Sequence, residues 1–170
     1  MKKLLLSAIV ILGFSAATFA QSSATATATT TLITPISIAN SVPLNFGTIA
    51  SSAAAGSITI ASTAGGAVTK TGGVTQVAGS TTSSAKFTVT GELTSSISVG
   101  FPTSAILLTN QTDHTTTLSL APSAPSALTN AHLVAGTLDI YVGGVLSVPA
   151  LTISGLYTNT TDLTLTVNYN

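Results

Sequence analysis

The most constraining feature of this sequence is a short alternation of apolar and hydroxyl side chains that recurs along most of its length. Successive side chains of a β-strand point to opposite faces, so an alternation with period two predicts strands with one buried face. The clearest stretches are residues 58–60, 87–89, 97–101, 118–120, 138–142 and 163–169. Turn residues separate them, namely Gly65, Gly66, Gly72, Gly73, Asn110, residues 122–125, Gly143 and Gly144. This pattern predicts an all-β fold, an antiparallel two-sheet sandwich.

The apolar positions of these stretches define the expected core. One inward face per strand must pack against the facing sheet. The predicted core contains Phe46, Ile58, Phe87, Val89, Ile97, Val99, Leu118, Ile140, Leu165 and Val167.

The glycine pair Gly143 and Gly144 lies between two apolar stretches and predicts a hairpin. A three-residue loop over residues 143–145 would pair Val142 with Leu146 and bring the apolar residues of both strands to one side. A two-residue turn would pair Val142 with Val145 and separate them. We therefore favour the three-residue loop.

The first twenty residues have the composition of a secretory signal peptide. Lys2 and Lys3 precede an apolar run over residues 4–12, and small residues lead to Ala20. The run is too short to cross a bilayer, which argues against a membrane anchor. We expect cleavage after Ala20, export to the periplasm, the cell surface or the medium, and no membrane insertion after cleavage.

Charge and composition exclude several classes of partner. Residues 21–170 contain no Cys and no Arg, and their formal charge is +2 − 4 = −2, from Lys70, Lys86, Glu92, Asp113, Asp139 and Asp162. Nucleic-acid binding needs clustered basic residues, so we expect none. The same residues include 31 Thr and 20 Ser, so neutral hydroxyl groups must cover most outward strand faces.

Catalytic chemistry has no sequence support. The chain lacks a Gly-x-Ser-x-Gly elbow, and no glycine pair is followed directly by the Lys-Ser/Thr of a phosphate loop. Asp113, His114 and His132 lack the spacing of a metal site. We therefore predict a protein that is not an enzyme and has no catalytic residue, metal or cofactor.

The two ends of the exported chain are expected to matter for assembly. Residues 21–31 alternate Ala and Thr like a strand, and Ala24, Ala26, Ala28 and Leu32 are candidate residues of an assembly strand. This extension would precede a single domain over residues 32–170, completing its sandwich in cis or that of a neighbour in trans; a flexible terminus is the alternative. A strong C-terminal strand is predicted with inward residues Leu163, Leu165, Val167 and Tyr169.

Several of these segments resemble a bacterial secreted family, domain of unknown function 4402. The resemblance rests on residues 44–47, 72–74, 87–91 and 141–149 and on the ending at residues 155–158 and 166–170. It implies a secreted β-sandwich and supplies no activity. The C-terminal strand, with its penultimate Tyr169, also resembles that of chaperone–usher pilins and spore-coat-U-like subunits, in which an immunoglobulin-like sandwich is completed by a neighbour's N-terminal strand.

These expectations favour a non-enzymatic structural subunit of a surface filament or coat, assembled by strand donation. Its partners would be further copies of itself and a periplasmic chaperone. The alternative is a monomeric surface module for adhesion or binding of an unknown ligand.

Overall fold

The computed structural model describes residues 21–125, 128 and 131–170, so the predicted signal peptide at residues 1–20 lies outside the described part. The described residues form strands and loops without any helix. None of them therefore belongs to a helix able to span a membrane. The strands are β1 (Ser37–Val42), β2 (Ile49–Ala50), β3 (Gly56–Ile60), β4 (Val68–Gly72), β5 (Thr75–Gln76), β6 (Ala85–Thr90), β7 (Ser96–Gly100), β8 (Ile106–Asn110), β9 (Thr117–Ser123), β10 (Ala131–His132), β11 (Thr137–Val148), β12 (Tyr157–Thr158) and β13 (Thr166–Tyr169).

All paired strands are antiparallel, and the largest sheet is built around the longest strand. Its order is β1-β6-β11-β9-β8-β12, with β3 also paired to β11 and β4 paired to β3. A three-stranded sheet, β10-β7-β13, and a two-stranded sheet, β2-β5, complete the fold. The predicted all-β antiparallel sandwich is confirmed.

Strand β11 is shared between two parts of the large sheet. Its residues 137–142 pair with β6, and its last residues pair with β3 on one side and β9 on the other. The predicted hairpin at Gly143 and Gly144 is therefore wrong, because the chain continues through both glycines and Val142 lies opposite Ala85.

Close backbone contact explains the two glycines. A Cβ atom on Gly143 would collide with the carbonyl oxygen of Ile60, and one on Gly144 would lie 2.8 Å from the carbonyl oxygen of Ala121. Glycine inside a strand marks such close approaches as well as turns. The apolar residues on both sides of the pair share one strand face because all have even numbers, namely Leu138, Ile140, Val142, Leu146 and Val148.

The buried side chains form two clusters. The first cluster contains Phe46, Ile58, Ile60, Val74, Ile106, Leu118, Leu120, Leu146 and Val148. The second cluster contains Ala85, Phe87, Val89, Ile97, Leu133, Ile140, Val142 and Leu165. The predicted core is confirmed in large part: eight of its ten residues are buried, and Val99 and Val167 are partly buried against the second cluster.

The terminal segments depart from the prediction. The last strand begins at Thr166 instead of residue 163, because the amide of Thr164 donates to the carbonyl of Asp162 in a turn, 3.0 Å away. The first strand of the compact unit Ile33–Asn170 begins at Ser37. Residues 21–35 are exposed and carry no strand.

Candidate functional site: an apolar groove over the first cluster

A groove of about 690 Å³ lies beside the first cluster. Leu118, Leu146 and Val148 form its floor, on the inward face of β9 and β11. Residues 44–51 form one wall and residues 152–157 the other.

A second depression of about 400 Å³ shares lining residues with the groove. Leu44, Phe46 and Leu108 line both, and Phe87 and Leu163 line only the second. The concave surface therefore extends past Phe46 towards the second cluster.

The groove exists because a single sheet supplies most of the first cluster. Seven of its nine residues lie on β3, β8, β9 and β11, whereas Phe46 and Val74 come from irregular segments. A second large sheet would cover such a face in a complete sandwich. Here the covering layer is the short β2-β5 pair and its loops.

The wall at residues 152–157 is fixed by hydrogen bonds to neighbouring segments. The amide of Leu151 donates to the carbonyl of Ser52 at 2.8 Å, and the Tyr157 hydroxyl donates to the carbonyl of Ile153, also at 2.8 Å. Asn110, which is fully buried, donates from Nδ2 to the carbonyl of Ser154 at 3.4 Å. The groove is thus preformed.

The groove suits an uncharged occupant. Within the described part of the chain, no Asp, Glu, Lys, Arg or His lines it. A charged group placed there would lose hydration without gaining a partner of opposite charge.

The ionisable residues lie outside the groove and serve turns and strand pairs. The hydroxyl of Thr116 and then the amide of Thr115 hold the pKa of Asp113 down to about 2 in the β8–β9 turn. Lys86 and Asp139 form an ion pair of 2.8 Å across β6 and β11, which lowers the pKa of Asp139. Across residues 21–125, 128 and 131–170, no three His, Cys, Asp or Glu side chains come together as metal ligands would.

The penultimate tyrosine connects the two ends of the domain. The Tyr169 hydroxyl accepts from the amide of Glu92 and donates to the carbonyl of Thr34, both at 2.6 Å. The amide of Thr34 in turn donates to the Glu92 carboxylate at 2.7 Å, and this bond lowers the pKa of Glu92. Thr34 is therefore held beside the turn that follows β6.

The candidate residues of the sequence divide into two groups. Among the C-terminal ones, Leu165 is buried, and Leu163, Val167 and Tyr169 are partly buried against the second cluster. The candidate assembly residues Ala24, Ala26, Ala28 and Leu32 are all exposed and outside any strand. Their pairing in assembly stays a prediction.

The sequence did not reveal the groove itself. Its walls are irregular, so residues 44–51 and 152–157 lack the alternation that marks strands. The apolar residues Leu151, Ile153 and Leu156 were a signal, because three large apolar side chains within six residues of loop are unusual on a surface.

The fold and the groove define a class of protein: an antiparallel β-sandwich with two buried clusters, the first of which borders an apolar groove. Residues 36–169 match the family model described as Domain of unknown function (DUF4402), and the chain belongs to this family. No curated protein and no solved structure gives a significant match.

Proposed function

We propose that this protein is an exported, non-enzymatic structural subunit of a surface filament or coat, assembled by β-strand donation. Residues 21–32, here called the arm, would lie in the groove of the next copy. The observation that carries the proposal is the preformed apolar groove over the first cluster.

The side chains of the arm suit this groove. The floor residues Leu118, Leu146 and Val148 are already buried, and the groove of about 690 Å³ above them has room for small side chains. Ala24, Ala26 and Ala28 would share one face of an extended arm, since alternate residues of a strand point the same way. Leu32 is the largest side chain of the arm, and burying a leucine contributes about 1.5–3 kcal/mol.

Charge supports the same pairing. The arm contains no ionisable side chain, and none of the acidic or basic residues of the described chain lines the groove. Insertion of residues 24–32 would therefore require no charged side chain to leave water. Insertion into a neighbour is head-to-tail and does not close on itself, so its product is a filament.

Export would bring the subunit to its place of assembly. The signal-like residues 1–20 support delivery across the inner membrane, to the periplasm or the cell surface. Before assembly the apolar groove would be empty and would have to be shielded from unspecific contacts. A periplasmic chaperone is the expected transient partner.

A monomeric adhesion or binding module is the second candidate. The groove volume of about 690 Å³ falls in the range of about 300–1,000 Å³ that is usual for small-molecule sites. In that case the groove would hold an apolar ligand, and the arm would be dispensable.

The test compares two faces of the arm in the chain 21–170. Ala26→Asp with Ala28→Asp places charge on the face proposed to enter the groove, and we expect loss of assembly. Thr25→Asp with Thr27→Asp is the matched control on the opposite face, and we expect polymers to persist. Apparent mass in gentle buffer, before and after boiling in detergent, measures both.

A second experiment uses the compact unit alone. Residues 33–170 should stay monomeric and bind a synthetic peptide of residues 21–32. If both aspartate pairs and the shortened chain assemble like the unchanged protein, donation is wrong. A chain 21–170 that stays monomeric favours the binding module.

A further inference from the structure

Two exposed apolar side chains lie on neighbouring turns at one end of β11. Leu93 is 63% exposed in the turn after β6, and Val134 is 72% exposed in the turn that leads into β11. A Cβ atom on Gly136, in the second turn, would lie 3.5 Å from Cδ2 of Leu93. The two turns are therefore neighbours. We call this surface the arm end, because the amide of Thr34 donates a hydrogen bond to Glu92 there.

A second exposed apolar group lies at the other end of the same strand. Leu151 is 76% exposed in the segment that follows β11, and Leu156, in the adjoining wall of the groove, is 67% exposed. We call this surface the groove end. Strand β11 has twelve residues and an advance of about 3.3 Å per residue, so the two surfaces are about 36 Å apart.

Backbone strain is concentrated at the same two ends. Four non-glycine residues of the described chain have a left-handed backbone, and all lie in end turns. Thr94 and Ala135 are at the arm end, and His114 and Leu151 are at the groove end. A left-handed backbone is unfavourable for a residue with a side chain, because its Cβ atom comes close to the following carbonyl oxygen.

The arm end must approach a neighbour's groove if the arm enters it. Thr34 is held at the arm end by Tyr169 and Glu92, and Leu32 is only two residues earlier in the chain. Two extended residues span about 7 Å. An arm inserted up to Leu32 would therefore leave no room for a long linker between the two copies.

We propose that the arm end of one copy packs against the groove end of the next, with Leu93 and Val134 against Leu151 and Leu156. This inference rests on the proposed function, and its partner is a second copy of this chain. The two surfaces differ, so the contact is heterologous and repeats along a filament.

The contact is expected to support donation and not to replace it. Stable interfaces bury about 800 Å² on each partner, which is more than two or three apolar side chains provide. Chains without the arm should therefore not assemble through their ends. In polymers, the contact should set the spacing of the subunits.

Cross-linking tests the contact directly, because residues 21–170 contain no Cys. Leu93→Cys and Leu151→Cys are made in separate samples of residues 21–170, mixed, assembled and treated with a short bis-maleimide. We expect a covalent dimer that contains one copy of each. Leu107→Cys, on an exposed position of β8, is the control for Leu93→Cys and should give none.

Substitution gives a second measure. Leu93→Ser with Val134→Ser should raise the protein concentration for half-assembly at least tenfold, since loss of one buried leucine alone corresponds to about a factor of ten or more. Leu107→Ser should leave it unchanged.

The two proposals fail differently. The end contact is wrong if polymers require the arm but give no cross-linked dimer between the Leu93→Cys and Leu151→Cys variants. Strand donation would still stand in that case. Polymers that ignore the aspartate pair at Ala26 and Ala28 overturn strand donation, and the end contact falls with it because the tether no longer applies. Absence of polymer from residues 21–170 contradicts both.

Discussion

The two clusters of this domain have similar side chains but different coverings. The second cluster joins residues of β6 and β11 to residues of or beside β7, β10 and β13, so two sheets enclose it. The first cluster takes most of its residues from one sheet, and short strands and loops cover it incompletely. Strand β11 contributes to both through the same face.

The difference shows that alternation along a strand decides which face is apolar but not what covers that face. Ile140 and Leu146 have the same parity on β11, and both are buried. Only Leu146 lines the groove. The groove therefore borders the part of β11 that belongs to the first cluster, whereas Ile140 lies away from both depressions.

Removal of residues 163–170 is expected to have the largest effect. It deletes β13 and the buried Leu165, and it breaks both hydrogen bonds of Tyr169. The second cluster would lose part of its second sheet, and we expect no cooperative thermal unfolding transition. Removal of residues 21–31 is the control, which should leave that transition in place. A folded, soluble chain 21–162 would show that the second cluster does not need β13.

A matched pair of core substitutions on β11 compares the clusters directly. Ile140→Ala should destabilise by about 4 kcal/mol, because it leaves a cavity in an enclosed core. Leu146→Ala should cost about 2 kcal/mol, near the lower limit for such changes, because the space it leaves joins an existing groove. Urea unfolding followed by circular dichroism measures both. An equal decrease in the free energy of unfolding for the two variants would show that the groove does not weaken the first cluster.

The junction between the clusters depends on Gly143. Gly143→Ala should destabilise by about 3 kcal/mol, since its methyl group would collide with the carbonyl oxygen of Ile60 and push β3 away. Gly65→Ala is the control, because it has open space around it and only the strain of its left-handed backbone, about 1–2 kcal/mol. A smaller loss of stability for Gly143→Ala than for Gly65→Ala would contradict the close approach of Gly143 to the Ile60 carbonyl.

Acid should have the smallest effect, at the turn beyond the first cluster. The pKa of Asp113 is lowered to about 2, so its hydrogen bonds stabilise the fold above the ordinary carboxyl pKa of about 4, and this contribution is lost as the pH falls towards 2. Asp113→Asn should reduce the dependence of the melting temperature on pH in that interval. An unchanged dependence would assign acid sensitivity to other carboxylates, such as Glu92, whose pKa is also lowered.

The fold class and most of the core followed from the sequence because alternation reports burial directly. Ile58, Phe87 and Ile140 were predicted to be buried and are. The hairpin at Gly143 was wrong because glycine permits both a turn and a close backbone contact, and only the neighbouring strand decides between them. Pro122 was read as a turn residue but lies in β9, opposite Gly144 and past the end of β8, where no partner needs its missing amide hydrogen.

The groove could not be predicted for a related reason. Its floor follows the strand pattern, as at Leu118, but its walls are loops whose course depends on contacts distant in sequence. Ser51 reaches the carbonyl of Thr152, and Gln111 reaches the carbonyl of Leu156. No local pattern encodes such pairs.

The sharing of β11 by both clusters has a consequence for how the domain opens. Residues 137–142 of β11 belong to the ladder of one half and residues 143–148 to the ladders of the other, and the strand runs through both without a break, so unfolding of one half should disturb the other. We therefore expect a single foldon, in which the amide protons of β11 exchange with solvent only through global unfolding. Short edge pairs such as β2-β5 should exchange by local fraying. An occupant of the groove would then slow amide exchange first in the β2-β5 pair. Hydrogen-exchange measurements would detect this binding before any polymer is visible.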